Sequence, residues 1–334
     1  MKIAVIGAGA LGGPFATLLA RAGHEVTVTA RGAALAVIRA EGISLTGAFG
    51  AVRQHPLALE RLVRTPQLTL VCTKAQDAAA AIGENAAVLD GSPVIVVQNG
   101  LDGVRTVGSL LPLSDCFGAL SIIAANYAAP GQVTITTAAP TYLGRESGAA
   151  DAATLAWRDV LAGAVPTVAL DNFVGAQWTK LVVNMLNALP AITGTSVQDV
   201  VDHAGLRRVM TESMRETVRV GMKHGVRFGS LQGLGDRPLR AFSRLPPALG
   251  QVLPLRLRSR MGNVPNLGST QQSLKRGQLT EVDYLNGAVV REAALAGVPA
   301  PVNELLTALV HEVETRGVPL ATPDVLERFA ALRH

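Results

Sequence analysis

The segment that most constrains this chain is Lys2 to Gly13, KIAVIGAGALGG, where an apolar run meets a cluster of glycines. Ile3, Ala4, Val5 and Ile6 follow one another without a polar residue and read as a buried parallel strand. Gly7, Gly9 and Gly12 then fall at the G-x-G-x-x-G spacing. In that spacing the first glycine permits a tight turn and the second lets a pyrophosphate approach bare backbone. The third lets the next helix pack closely on the strand. A helix is expected from about Leu11 to Arg21, with its unpaired N–H groups and the positive end of its dipole facing the phosphates. Pro14 is tolerated, because the first turn of a helix leaves its N–H groups unpaired in any case. Gly23 ends the helix and Glu25 to Thr29 reads as a second strand, which is the setting that dinucleotide binding requires. A secretory signal peptide does not fit, since glycines and a proline break up the apolar run between Lys2 and Ala20.

A chain of 334 residues exceeds what one core usually serves, so two domains are expected. Aromatic residues make up only 4%, which argues against a base-stacking platform for nucleic acid. The net charge of +5 suits an anionic cofactor and substrate at least as well, and the arginines are spread out apart from a denser stretch from Arg237 to Arg260. No nucleic-acid partner is expected. No membrane span is expected either: the apolar run Phe117 to Ala129 is short and contains Ser121 and Asn126. Cys72 and Cys116 lie in apolar, strand-like contexts, so they read as buried free thiols in a reducing, cytoplasmic compartment, with no metal site.

Strand-like runs recur at Leu68 to Thr73 and Val94 to Gln98, with an alanine-rich helical stretch, Ala75 to Leu89, between them. This alternation predicts right-handed parallel units with helices on both faces of a doubly wound sheet. Phe117 to Ala125, Gln132 to Thr137 and Thr141 to Leu143 read as strands, with Pro130-Gly131 and Pro140 marking hairpins that close off the sheet. Asp151 to Leu161 reads as a helix and Thr167 to Leu170 as a last short strand. From there the pattern is helical, with helices expected at Phe173 to Leu189, Val197 to His224, Thr280 to Ala296 and Pro301 to Arg316. The expected division is a nucleotide-binding Rossmann domain over 1–170 and an all-helical domain over 171–334. Gly233 to Asn263 is the least regular stretch, readable as a mobile loop over a cleft or as a solvated connection.

The end of the second strand bears on the cofactor. NAD-binding units place an Asp or Glu there to hold the ribose hydroxyls. This chain has Thr29-Ala30-Arg31-Gly32, with no carboxylate and an arginine. A guanidinium offers a fork of donors to a 2′-phosphate, and Lys74, just past the third main strand, adds a second cation at the crevice. The bland reading of Arg31 is an ordinary solvated surface arginine, but Lys74 tilts the balance, so NADP is favoured over NAD.

In the helical half, WTKLVVNMLNALPA places Lys180, Asn184 and Asn187 within a sector of roughly 60° on an ideal helix. This polar stripe is either the solvent face or a functional one. Asparagine is a poor helix former, so two beside a lysine invite an explanation beyond propensity. A lysine in a dry cleft has its pKa pushed down, which readies it to give a proton to a developing alkoxide. A second cluster is Asn266, Ser269 and Glu281. Thr280 and Asp283 have the spacing of a weak capping box, so Glu281 is either a first-turn carboxylate at a helix start or the partner of Lys180.

These motifs together resemble the ketopantoate reductase (2-dehydropantoate 2-reductase) family over nearly the whole chain. The resemblance rests on GAGALG at Gly7 to Gly12, Lys74 after its strand, QNG at Gln98 to Gly100, WTKLVVN at Trp178 to Asn184 and TEVDYLNG at Thr280 to Gly287. It implies a Rossmann domain followed by a helical domain, with the active site in the cleft between them. It also implies that Gly7, Ala8, Gly9, Ala10, Leu11 and Gly12, with Arg31, Lys74, Asn99 and Ala125, hold NADP(H). Lys180 would be the proton donor, and Glu281 would support both the cofactor and the lysine. The substrate, a small 2-oxo acid, would meet Asn99, Lys180, Asn184, Asn266 and Ser269. A homodimer through the helical half is allowed for.

Two departures touch the substrate side. Family members often carry a second asparagine eight residues after the lysine, where this chain has Ala188, and Asn187 is expected to take its place. The segment after the family serine, commonly apolar residues followed by Gln-Asp, is here Thr270-Gln271-Gln272-Ser273. The leading expectation is NADPH-dependent reduction of ketopantoate. A sister reductase of another 2-oxo or 3-oxo acid, and a non-catalytic NADP-binding regulator, are the alternatives.

Overall fold

The computed structural model describes residues 1–262 and 264–332, with Pro247 described in its backbone alone. Two compact units divide at Phe173, Met1–Phe173 and Val174–His334. The first unit opens with β1 (Lys2–Ile6), α1 (Gly12–Arg21), β2 (Glu25–Thr29), α2 (Gly32–Glu41), β3 (Ile43–Gly47), β4 (Val52–Gln54) and β5 (Leu57–Leu59). It continues with β6 (Leu68–Val71), α3 (Ala75–Gly83), α4 (Ala86–Leu89), β7 (Val94–Val97), α5 (Gly103–Leu110) and β8 (Cys116–Ser121). A pair, β9 (Ala124–Ala129) and β10 (Gln132–Thr137), precedes β11 (Thr141–Gly144), α6 (Ala152–Ala162) and β12 (Thr167–Leu170).

The main sheet has eight strands in the order β12-β11-β8-β7-β6-β1-β2-β5. Every neighbouring pair is parallel except β8 with β11. The chain runs from β1 to β2 on one side and later returns to place β6 on the other, so β1 and β6 flank the switch point where open α/β sheets take their ligands. β6 and β7 are buried along their full length, as expected of strands covered by helices on both faces. The expected doubly wound, mixed α/β domain is present.

Several elements differ from expectation, each for a local reason. The stretch 117–125 is two strands in different sheets, because the chain turns at Ile122 and Ile123, where the Ile122 amide donates to the Pro140 carbonyl. β9 and β10 do not close the main sheet; they join β3 and β4 in a second sheet of order β4-β3-β10-β9. The alanine-rich stretch breaks at Asn85, whose side chain is turned to its own backbone at Ala81 and to the Leu62 amide. Both cysteines are free thiols, and burial pushes their pKa values up, that of Cys116 to about 11.

The second unit is helical: α7 (Phe173–Asn184, its first residue in the first unit), α8 (Ala188–Thr193), α9 (Val197–Asp202), α10 (Ala204–Lys223), α11 (Asp236–Arg244), α12 (Pro247–Gly250) and α13 (Val252–Ser259). After these come α14 (Gly268–Lys275), a 3₁₀ turn at Val282–Tyr284, α15 (Asn286–Ala296), α16 (Pro301–Arg316) and α17 (Thr322–Ala331). Three helices expected to be continuous are broken. Pro190 has no N–H to give to the Leu186 carbonyl, so α7 stops at Asn184 and Pro190 sits instead in the first turn of α8. His203 has extended backbone between α9 and α10, and its ring accepts from the Leu206 amide as a cap. Leu285 interrupts the helix expected from Thr280. The stretch 233–262 is neither loop nor bare connection but carries three helices; Asn263, its last residue, lies outside the described residues. Three of its arginines are occupied: Arg240 pairs with Asp236, Arg258 with Asp202, and Arg260 donates to the Gln232 carbonyl. Among the described residues no helix is long and apolar enough to cross a membrane.

A buried polar network joins the helices of this unit. The Glu216 carboxylate of α10 accepts from the amides of Val302 and Asn303 at 2.9 Å each and from Asn303 Nδ2 at 2.7 Å, capping α16 from outside. Asn303 Oδ1 in turn accepts from Ser213 Oγ at 2.8 Å and from Asn286 Nδ2 at 2.9 Å. Burial pushes the Glu216 carboxyl up while the three donors pull it down, and burial prevails.

The glycine turn generates a stability contrast. A Cβ at Gly12 would lie 1.8 Å from the Gly7 carbonyl oxygen, whereas a Cβ at Gly9 would meet nothing within 4 Å. Gly12→Ala should therefore destabilise the protein by about 2 kcal/mol or more, and Gly9→Ala by less than about 0.5 kcal/mol. Urea unfolding of both variants checks this, and equal losses would contradict the close packing at Gly12.

Candidate functional site

The first unit gathers its candidate residues at the carboxyl ends of its parallel strands. Gly7, with φ +92°, turns the chain out of β1, and its amide donates to Thr29 Oγ1 at 3.2 Å. The residue that closes β2 thus holds the glycine turn, in the place where a ribose-binding carboxylate would stand. A Cβ on Gly7 would press on Thr73, just past β6, which shows how closely the two strand ends approach. Gln98, at the end of β7, donates from Nε2 to the Thr73 carbonyl at 2.8 Å and fixes that neighbouring end. Asn99 follows it, half-buried, and Lys74 is the residue before α3, also half-buried. Ala8 and Leu11 pack half-buried on the same core as Ala125, which lies in β9 of the second sheet. No acidic residue occupies the first turn of α1. The bare face of Gly9 and the unopposed positive end of α1 fit a pyrophosphate.

Arg31 closes the turn before α2, but it is not a lone arginine. Its guanidinium pairs with the carboxylate of Glu84 at the end of α3, and Arg61 stands 4.0 Å from the same carboxylate. Sequence reasoning missed Glu84, because nothing local to residue 84 marks it; only the fold brings the end of α3 to the turn that follows β2.

In the second unit, Lys180 lies on α7 and Glu281 just before the 3₁₀ turn. Lys180 keeps some solvent-accessible surface yet is densely surrounded by protein, and burial pushes its pKa down to about 8, against the opposing pull of the Glu281 charge. Asn184, one turn on, has an amide Nδ2 that is buried and makes no hydrogen bond among the described residues. Asn187 does not continue the stripe, since the helix has ended; it precedes α8 instead. The break nonetheless carries it to the second cluster, where its Nδ2 donates to Ser269 Oγ at 3.3 Å and its Oδ1 lies against Gly268. Asn266 Oδ1 accepts from the Gly268 amide at 2.9 Å, so Asn187, Asn266 and Ser269 surround one turn. Gln198, which the sequence did not single out, holds this turn, accepting from the Asn266 amide and donating to the Val264 carbonyl.

Thr280 and Asp283 do not form a capping box. The Thr280 amide donates to Glu314 Oε1 at 2.7 Å, and Asp283 Oδ1 faces His311 Nε2 at 2.9 Å. Glu281 is therefore not a carboxylate in the first turn of a regular α-helix; it sits in a turn held from α16.

A Rossmann-type sheet with this glycine turn, joined to a helical unit bearing a lysine of depressed pKa under the influence of a carboxylate, defines a pyridine-nucleotide oxidoreductase. Comparison with known proteins narrows the class. Residues 3–148 match the family model described as ketopantoate reductase PanE/ApbA, and residues 172–314 match its C-terminal counterpart. A 2-dehydropantoate 2-reductase of Pyrococcus abyssi is 26% identical over 94% of this chain and 98% of its own length. The crystal structure of a PanE/ApbA family ketopantoate reductase from Ralstonia eutropha is 30% identical, with TM-score 0.82 over 95% of this chain and 99% of that one. D-mandelate dehydrogenase, solved with NADH and anilino(oxo)acetate, shares the fold at 20% identity and TM-score 0.80, over 95% of this chain and 99% of that one. The chain belongs to the ketopantoate reductase family.

Because the Glu281 charge raises the Lys180 pKa, removing it should lower that pKa further. An NMR titration of labelled lysines should place the Lys180 midpoint at about 8, and lower in Glu281→Gln. An unchanged midpoint in the variant would remove Glu281 from the surroundings of the lysine.

Proposed function

We propose that this protein reduces 2-dehydropantoate, or a 2-oxo acid close to it in shape, to the 2-hydroxy acid, with NADPH as hydride donor. The observation that carries the reading is the trio in the second unit: an ammonium with a pKa near 8, a carboxylate acting on it, and, one turn away, the buried Asn184 Nδ2, which has no partner among the described residues. Membership of the family and the curated relatives named 2-dehydropantoate 2-reductase support the substrate.

When bound, NADPH supplies the hydride. Gly7, Ala8, Gly9, Ala10, Leu11 and Gly12 would cradle its pyrophosphate, Arg31 and Lys74 its 2′-phosphate, and Asn99 and Ala125 would line its path. In the second unit Asn184, Asn187, Asn266 and Ser269 present short amide and hydroxyl groups that orient a carboxylate and a carbonyl by hydrogen bonding. As C2 takes the hydride, negative charge gathers on the carbonyl oxygen, and Lys180 Nζ gives that oxygen its proton. Glu281 keeps the ammonium charged and aimed. A pKa near 8 leaves the lysine largely protonated at neutral pH yet able to release the proton, which an ordinary lysine does less readily.

The cofactor preference rests on charge. Arg31 offers guanidinium donors to a 2′-phosphate, with Arg61 close by, but Glu84 already engages both. The phosphate must compete with that carboxylate, so the preference for NADPH is one that Arg31→Ala should erase by weakening NADPH alone.

A second reading, reduction of a different 2-oxo acid, is favoured by α14. Gln271, in the segment that departs from the family pattern, is buried, and its Oε1 has no partner among the described residues.

The deciding experiment is loss of reduced-nicotinamide absorbance against a panel of 2-oxo acids that includes 2-dehydropantoate; no turnover with any of them would overturn the reading. In the active enzyme kcat/KM for reduction should fall as pH rises through about 8, where Lys180 gives up the proton it must donate. Lys180→Ala should lower kcat by about 10²–10⁴-fold with NADPH affinity nearly unchanged. A flat pH profile together with a mild lysine variant would assign the proton to another group.

A further inference from the structure

Behind Glu281 stands a side-chain arrangement that nothing in the proposed chemistry uses. His311, on α16, has a carboxylate at each ring nitrogen: Glu314 Oε2 lies 2.7 Å from Nδ1, and Asp283 Oδ1 lies 2.9 Å from Nε2. The other oxygen of Glu314 accepts the Thr280 amide at 2.7 Å. Thr280 and Asp283 are the two ends of the turn on which Glu281 sits, so one imidazole ties both ends together.

The stoichiometry is strict. A neutral imidazole has one N–H and can donate to one carboxylate, leaving the lone pair of its other nitrogen against the second. Both bonds require the doubly protonated ring. The groups facing this ring are Asp283 from the 3₁₀ turn and Glu314 from its own helix. Arg291 of α15 stands behind Asp283, donating to the Asp283 carbonyl at 2.7 Å. Burial alone would lower the His311 pKa, but the two carboxylates outweigh it and raise it above 6.5. Hydrogen bonds from Thr280 and His311 likewise outweigh burial at Glu314 and hold it below the ordinary carboxylate range.

We propose that His311 is a positioning residue for Glu281: as the imidazolium it clamps Glu314 to Asp283 and thereby fixes the turn that aims Glu281 toward Lys180. The proposal rests on the reading of Glu281 given above. Its pH sense follows from proton count. Below the raised midpoint both bonds stand; as pH rises through it, the ring loses one proton, one carboxylate loses its donor, and the turn loosens.

Lys180 also deprotonates in the alkaline range, so a pH profile alone does not separate the two groups; a double-mutant comparison does. With 2-dehydropantoate as substrate, His311→Gln should lower kcat by about 3- to 10-fold and leave the KM for NADPH within about twofold. In a Glu281→Gln background the same change should cost less than about twofold, because His311 acts through Glu281. An equal loss in both backgrounds would show a merely structural histidine and overturn the proposal. Nitrogen-15 spectra of the wild-type histidines give a reading independent of turnover. His311 should carry protons on both ring nitrogens up to a midpoint above 6.5, and Asp283→Asn should lower that midpoint. An ordinary midpoint, unmoved in Asp283→Asn, would overturn the clamp even if His311→Gln fails to fold. A wild-type protein without turnover on any 2-oxo acid would defeat the proposed function instead, and the nitrogen titration would still decide the clamp.

Discussion

The first unit depends on one close approach of backbone to backbone. The Gly7 carbonyl lies where a Cβ of Gly12 would be, so α1 can start only if residue 12 carries no side chain. That contact sets the distance between α1 and the sheet. Phe15, Leu18 and Leu19 are then fully buried in a helix that touches β1 and β2 of the main sheet and β3 and β4 of the second. It also leaves the amides at the helix start uncapped by side chains and facing the carboxyl edge of the sheet, which is where the candidate cofactor residues collect.

The second unit solves a different problem. Several of its candidate residues and the turns beside them come from short helices and loops and are held by polar contacts from a neighbour: Asn266 by Gln198, Ser269 by Asn187, and Thr280, next to Glu281, by Glu314. Hydrophobic packing alone leaves a helix free to slide or rotate by small amounts, whereas a buried hydrogen bond left unmade costs about 1–3 kcal/mol. Directional bonds therefore fix the positions that chemistry needs.

Much of the first unit was legible in the sequence because β1 and β7 are apolar runs, β2 and β6 are short β-branched and leucine-rich segments, and the glycine turn is local. The second sheet was not. β4 has three residues, and β3 finds its parallel partner in β10, with Thr46 facing Thr134 across 88 residues of chain. Neither length nor spacing announces such a pairing. In the helical unit Lys180 and Asn184 kept their one-turn relation, but Asn187 did not, because Pro190 ends α7 before the ideal helix reaches it. Glu84 and His311 were invisible for the same reason as the second sheet: their partners are distant in sequence, and an isolated Glu or His on a helix has no pattern to betray it.

The carboxylate of Glu216 has a consequence for how the chain is made. Its donors, the amides of Val302 and Asn303, are synthesised 86 and 87 residues after it. Until they emerge from the ribosome, α10 carries an acid group that the finished packing would bury without partners, and closing the helices around it early is unfavourable. The first unit, complete by Phe173, is free to fold during synthesis, while the second must wait for nearly its last helix. A nascent chain of this protein thus passes through a stage with a finished α/β half and an open helical one.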